Sequence, residues 1–92
     1  MIYHVEAEFF LSTPQNLKEK RAILQRILSR TKQKFNASIA ETGFQDKWQR
    51  TEISFVIISG TSTQSEKEAY QVLDFLDSFP EWERTNTHME HI

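Results

Sequence analysis

"NASIAETGFQDKWQRTEISFVIIS", residues 36–59, sets two alternating stretches around a polar centre. In the first, Ala37 and Ile39 oppose Ser38 and Ala40; the second, TEISFVIIS, is rich in β-branched residues. Period-two alternation marks a strand with one buried face, and β-branched side chains suit a pleated surface. Two strands paired as a hairpin are therefore expected, with residues 41–53 at their junction.

On either side of this hairpin the period changes to that of a helix. Upstream, Leu17, Leu24, Ile27, Leu28, Thr31 and Phe35 recur at spacings of three, four and seven, which places them on one side of a helical cylinder. Asn16 with Glu19 has the form of a capping box, predicting a helix start at Leu17. Downstream, Ala69, Val72, Leu73, Leu76 and Phe79 keep the same spacing until Pro80 stops it. Thr63 with Glu66, or Ser65 with Glu68, offers its cap. Residues 2–11 alternate, with Tyr3, Val5, Ala7, Phe9 and Leu11 opposite His4, Glu6 and Glu8. The closing WERTNTHMEHI alternates weakly and reads as a last strand. The order is βαββαβ, and right-handed crossovers place both helices on one face of a four-stranded antiparallel sheet, a ferredoxin-like α+β fold. The other sheet face is left open.

The chain has 92 residues, 38% hydrophobic and 26% charged. That is the composition and length of one globular domain, residues 1–92, with a core one side-chain layer thick. No cysteine is present, which excludes disulfides, thiolate nucleophiles and cysteine-ligated zinc. The longest apolar run, FVIIS, is far too short to span a bilayer, and MIYHVEAEFFL lacks the basic start of a signal peptide. A cytoplasmic protein with no membrane partner is expected.

Charge is unevenly spread. Between Leu17 and Phe35 lie Lys18, Lys20, Arg21, Arg26, Arg30, Lys32 and Lys34 against Glu19 alone, a net +6, while the remainder of the chain carries −8. Such a helix attracts nucleic-acid backbones through counterion release with little demand for sequence. These seven residues are the candidate RNA-binding set, and sequence-specific DNA binding is not expected. The competing reading is an ordinary solvated helix partly neutralised by acidic neighbours.

Three stretches, NLKEKRAIL, KFNASIAE and QDKWQR, together with Glu6 and Glu8 in the opening strand, resemble the YlxP-like family of small bacterial proteins, a domain of unknown function. The resemblance runs over nearly the whole chain; where the family usually has a proline and glycine turn before the helix, this chain reads STPQN. It implies a ferredoxin-like fold and a translational neighbourhood, since genes of this family often lie near those for translation and ribosome-maturation factors, including ribosome-binding factor A. It implies no activity. RNA or a ribosomal particle is the partner expected, and a homodimer through a sheet edge or the open face is the alternative.

Other chemistry finds little support. Glu6 and Glu8 share a strand face, but acid–base work also requires a cleft and unequal environments. His88 and His91 differ by an odd number and face opposite ways on a strand, while His4 and His88 become neighbours if the first and last strands pair. No metal site is expected. Gly43 and Gly60 are the only glycines and form no phosphate-binding loop. No cofactor is expected, and the chain does not read as an enzyme. Within QDKWQR, three roles stand: Trp48 covering the core edge with Gln45 and Asp46 serving the turn; Gln45, Asp46, Trp48, Gln49 and Arg50 forming a recognition site; or Asp46 with Arg50 in chemistry that lacks a nucleophile.

Overall fold

Strand β1, Ile2–Leu11, buries Tyr3, Val5, Ala7, Phe9 and Leu11 and leaves the alternate residues partly or fully exposed. In the computed structural model, which describes residues 1–92, it is followed by α1 (Leu17–Lys34), β2 (Ala37–Gly43), β3 (Arg50–Ile58), α2 (Ser62–Asp77) and β4 (Trp82–His91). The strands form one sheet in the order β2-β3-β1-β4, each neighbouring pair antiparallel. This is the ferredoxin-like arrangement expected from the alternation and helical spacing.

Both helices start where a side chain can satisfy a free backbone amide. Asn16 Oδ1 accepts from the Glu19 amide at 2.9 Å. The Glu19 carboxylate reaches one residue beyond the cap, accepting from the Gln15 amide at 2.9 Å, so the box closes around a wider turn than the usual pattern. Helix α2 begins earlier than either expected cap. Thr61 Oγ1 accepts from the Gln64 amide at 3.1 Å, because Thr61 already has the extended backbone a cap adopts and Gln64 follows it at the right spacing.

One cluster of 17 buried apolar residues fills the space between the sheet and the two helices. Within it the Trp82 ring stacks on Phe9 at a centroid distance of 3.9 Å, and its indole N–H donates to the Leu76 carbonyl at 2.7 Å. Trp82 therefore ties β4, β1 and the end of α2 together. Opposite Glu8 and Phe9 the β4 register slips: Asn86 faces Glu8, Arg84 faces Phe9, and the intervening Thr85 is left over. Its hydroxyl donates to the Glu8 carbonyl at 3.3 Å. No helix is long and apolar enough to cross a membrane.

Truncating Trp82 to alanine removes both the stack and the indole hydrogen bond. It is expected to cost about 3–5 kcal/mol in a urea titration, whereas Tyr70→Ala, on the exposed side of α2, should stay within about 0.5 kcal/mol.

Candidate functional site

The seven basic residues of α1 do not act as one surface. Lys20 occupies the helix position that continues the stripe of Leu24, Ile27 and Thr31, and its side chain is 1% exposed. Its ammonium lies 2.9 Å from Glu41 Oε2 and donates to the Phe44 carbonyl at 2.7 Å. Thr51 Oγ1 donates to the same Glu41 oxygen at 2.7 Å. An ammonium withdrawn from water is tolerated only where paired and hydrogen-bonded, and here three segments converge to do so. Lys20 is therefore not part of any nucleic-acid surface, a correction to the expected set.

Arg26 is also committed. Its guanidinium donates to the Glu81 carboxylate, and that hydrogen bond is the main cause holding the Glu81 carboxyl below the ordinary glutamate range, with the charges of Arg26 and Arg30 adding to it against the opposing effect of burial. Lys34 lies over the Phe75 ring at 5.0 Å. Lys18, Arg21, Arg30 and Lys32 remain exposed, and neither they nor Lys34 enter an ion pair. On the helical projection Lys18, Arg21 and Lys32 form one row, while Arg30 and Lys34 lie on the flank shared with Arg26.

The connection between β2 and β3 spans residues 44–49. Phe44 sits in the left-handed region at φ 57°, a conformation that disfavours most side chains. It is held there by two donors to its carbonyl, Lys20 and the Lys47 amide at 3.0 Å. Gln45 Nε2 donates to the Glu41 carbonyl at 3.1 Å, and the Gln49 carbonyl accepts from the Leu11 amide at 2.9 Å. Gly43 precedes the turn because it packs against Glu52: a β-carbon there would lie 2.9 Å from that of Glu52. Gln45, Asp46 and Gln49 are exposed.

Trp48 is 47% exposed and does not cover the core; that position is taken by Trp82. Trp48 lines a shallow groove of about 290 Å³ with Phe10, Lys47, Gln49 and Arg50. The Arg50 guanidinium lies 4.0 Å from the Phe44 ring centre and 3.8 Å from Glu8. Across the open face, Glu6 and Glu8 on β1 share a surface with Glu52 on β3 and Glu90 on β4. His4 lies between Glu6 and Glu90, its ring nitrogens 3.7 and 3.8 Å from their carboxylates. His88 sits opposite Glu6, while His91 lies on the helix side, 3.9 Å from Glu66. The acidic face is thus a flat surface of carboxylates flanked by imidazoles.

A family model described as a protein of unknown function (DUF503) matches residues 2–89. The chain belongs to this family. Among curated proteins it is 51% identical over 90 residues to the uncharacterised protein YlxP of Bacillus subtilis (strain 168), covering 98% of both chains. Among solved structures, a de novo designed protein with a ferredoxin fold, LFR1 1, is similar over the whole chain and 87% of its own length, with TM-score 0.59 and 13% identity. That likeness extends to fold alone. Neither the family description nor the relative's name attaches an activity to this site.

Sequence reasoning missed the Lys20–Glu41–Thr51 group, although its signal was present. Lys20 falls in register with Leu24, Ile27 and Thr31; Glu41 shares the parity of Ile39, and Thr51 that of Ile53. Opposite charges on two inward-facing periods are the mark of a buried pair.

Two predictions follow from these ion pairs. Lys20→Met is expected to destabilise by about 3 kcal/mol, since it leaves Glu41 unpaired. Adding Glu41→Gln should cost less than the sum of the single changes, a coupling of about 1–3 kcal/mol in a double-mutant cycle. For Glu81 the sign is set by its depressed folded pKa: its contribution is present above the ordinary glutamate range and is lost as pH falls through the lowered value. Glu81→Gln should therefore flatten the loss of stability below about pH 4, measured by thermal unfolding across pH.

Proposed function

We propose that this protein is a non-enzymatic accessory of the translation apparatus that binds RNA or a ribosomal particle in the cytoplasm through the exposed row Lys18, Arg21 and Lys32 of α1, with Arg30 and Lys34 flanking it. The observation that carries this reading is that these cations remain unpaired and exposed in a chain whose net charge is −2. Unpaired cations on a rigid helix meet phosphates without first breaking an internal pair. The acidic open face supports the same assignment by elimination. RNA-recognition domains of comparable architecture stack bases on exposed sheet aromatics, whereas Glu6, Glu8 and Glu52 repel phosphate from this sheet. The translational context comes from the family resemblance of the three motifs. The reading requires no cofactor.

A homodimer has one specific observation in its favour. The outer edge of β2 carries Ser38, Ala40 and Thr42 as its open-face side chains and contains neither lysine nor proline, leaving its backbone free to pair with a second copy.

Salt separates the two. Three to five phosphate contacts on single-stranded RNA give a slope of log K against log salt of about −2 to −3.5. The protein is expected to travel with ribosomal subunits in a gradient at low salt and to leave them at high salt. Lys18→Glu with Arg21→Glu should abolish that association; unchanged association in the double variant would sink the proposal. Free migration at both salts with a mass of two chains would favour the dimer.

A further inference from the structure

We infer that the groove between the hairpin end and β1 is a site for one unpaired RNA nucleotide, its base against Trp48 and Phe10 and its phosphate on Lys47 or Arg50. This rests on the reading of α1 as a phosphate-binding surface, and extends it to a second, base-contacting site. Two large aromatic side chains are left 47% and 41% exposed side by side, in a chain that buries its other tryptophan completely enough to bond its N–H internally. Exposed rings stack on any base face and favour single strands over duplex. Lys47 is exposed and enters no ion pair, and the Arg50 guanidinium is already oriented by the Phe44 ring. The groove therefore pairs aromatic walls with cations, the two features a nucleotide presents as base and phosphate.

The neighbouring charges limit the occupant to a single nucleotide. Glu8 lies beside Arg50, and Glu6 and Glu52 continue along the sheet, so a strand crossing the open face meets carboxylates immediately beyond the groove. The backbone that carries Trp48 is also preformed. The Phe44 carbonyl accepts from Lys20 and from the Lys47 amide, and the Gln49 carbonyl accepts from the Leu11 amide, so the backbone beneath the groove needs little ordering on binding.

The test is a tryptophan-emission titration with an adenine hexaribonucleotide, using inorganic polyphosphate as a base-free polyanion. Trp82 is buried against Phe9, so quenching reports on Trp48. Expected are quenching by the hexanucleotide, a loss of about tenfold in its affinity in Trp48→Ala, unchanged polyphosphate binding, and most of the affinity retained in Trp48→Phe. Circular dichroism and thermal unfolding of Trp48→Ala should match the parent, since the ring lies outside the core. If Trp48→Ala binds the hexanucleotide as the parent does while Lys18→Glu with Arg21→Glu does not, the groove inference falls and the α1 reading stands. Absence of binding to either polyanion overturns both. Quenching by an acidic, phenylalanine-containing hexapeptide but not by the hexanucleotide overturns the inference in favour of a peptide site.

Discussion

The ammonium of Lys20, held away from water by Glu41 and the Phe44 carbonyl, is the contact on which the shape of the β2–β3 end depends. A lone charge at that depth is too costly to persist, so the helix, β2 and the connection after it have one arrangement that satisfies all three. With the Phe44 carbonyl fixed, the chain turns through a left-handed residue, and the six-residue connection presents Trp48 outward. The same lysine that was counted among the surface charges is what builds the surface beside it.

Charge on this protein is sorted by structure in a way that a net figure conceals. Of seven basic residues on α1, one is buried, one is bound to Glu81, and five remain on the solvent side. Four carboxylates, Glu6, Glu8, Glu52 and Glu90, share the open face of the sheet, and α2 carries four more, Glu66, Glu68, Asp74 and Asp77. A phosphate group is attracted by α1 and repelled by both α2 and the open face, so the field favours approach along α1.

Most of the fold was legible because its elements are each one-sided. Tyr3 to Leu11 and Thr51 to Ile57 alternate without interruption, and the helical stripe from Leu24 to Thr31 is equally regular. The start of α2 was misplaced because Thr61, Thr63 and Ser65 all carry a hydroxyl followed three residues later by a Glu or Gln. Only the backbone conformation at Thr61 distinguishes them. For the candidate site, the sequence located the basic helix and the polar connection in the fold but not the fate of individual side chains. Which of two tryptophans enters the core depends on what it meets there: Trp82 pairs with Leu11 and stacks on Phe9, both on β1, neighbours created by pairing strands far apart in the chain. Arg26 and Glu81 likewise meet across 55 residues.

The slip in β4 opposite Glu8 and Phe9 has a consequence for how the protein behaves at high concentration. An outer strand with an unbroken ladder is a template for runaway edge-to-edge aggregation. Thr85, displaced from the ladder and bonded back to the Glu8 carbonyl, breaks that template near its middle, and the charged side chains of Glu83, Arg84 and Glu90 discourage what remains. The ten-residue edge of β4 is in this way closed to chain-on-chain polymerisation, leaving only the seven-residue edge of β2 as a place where another backbone can add.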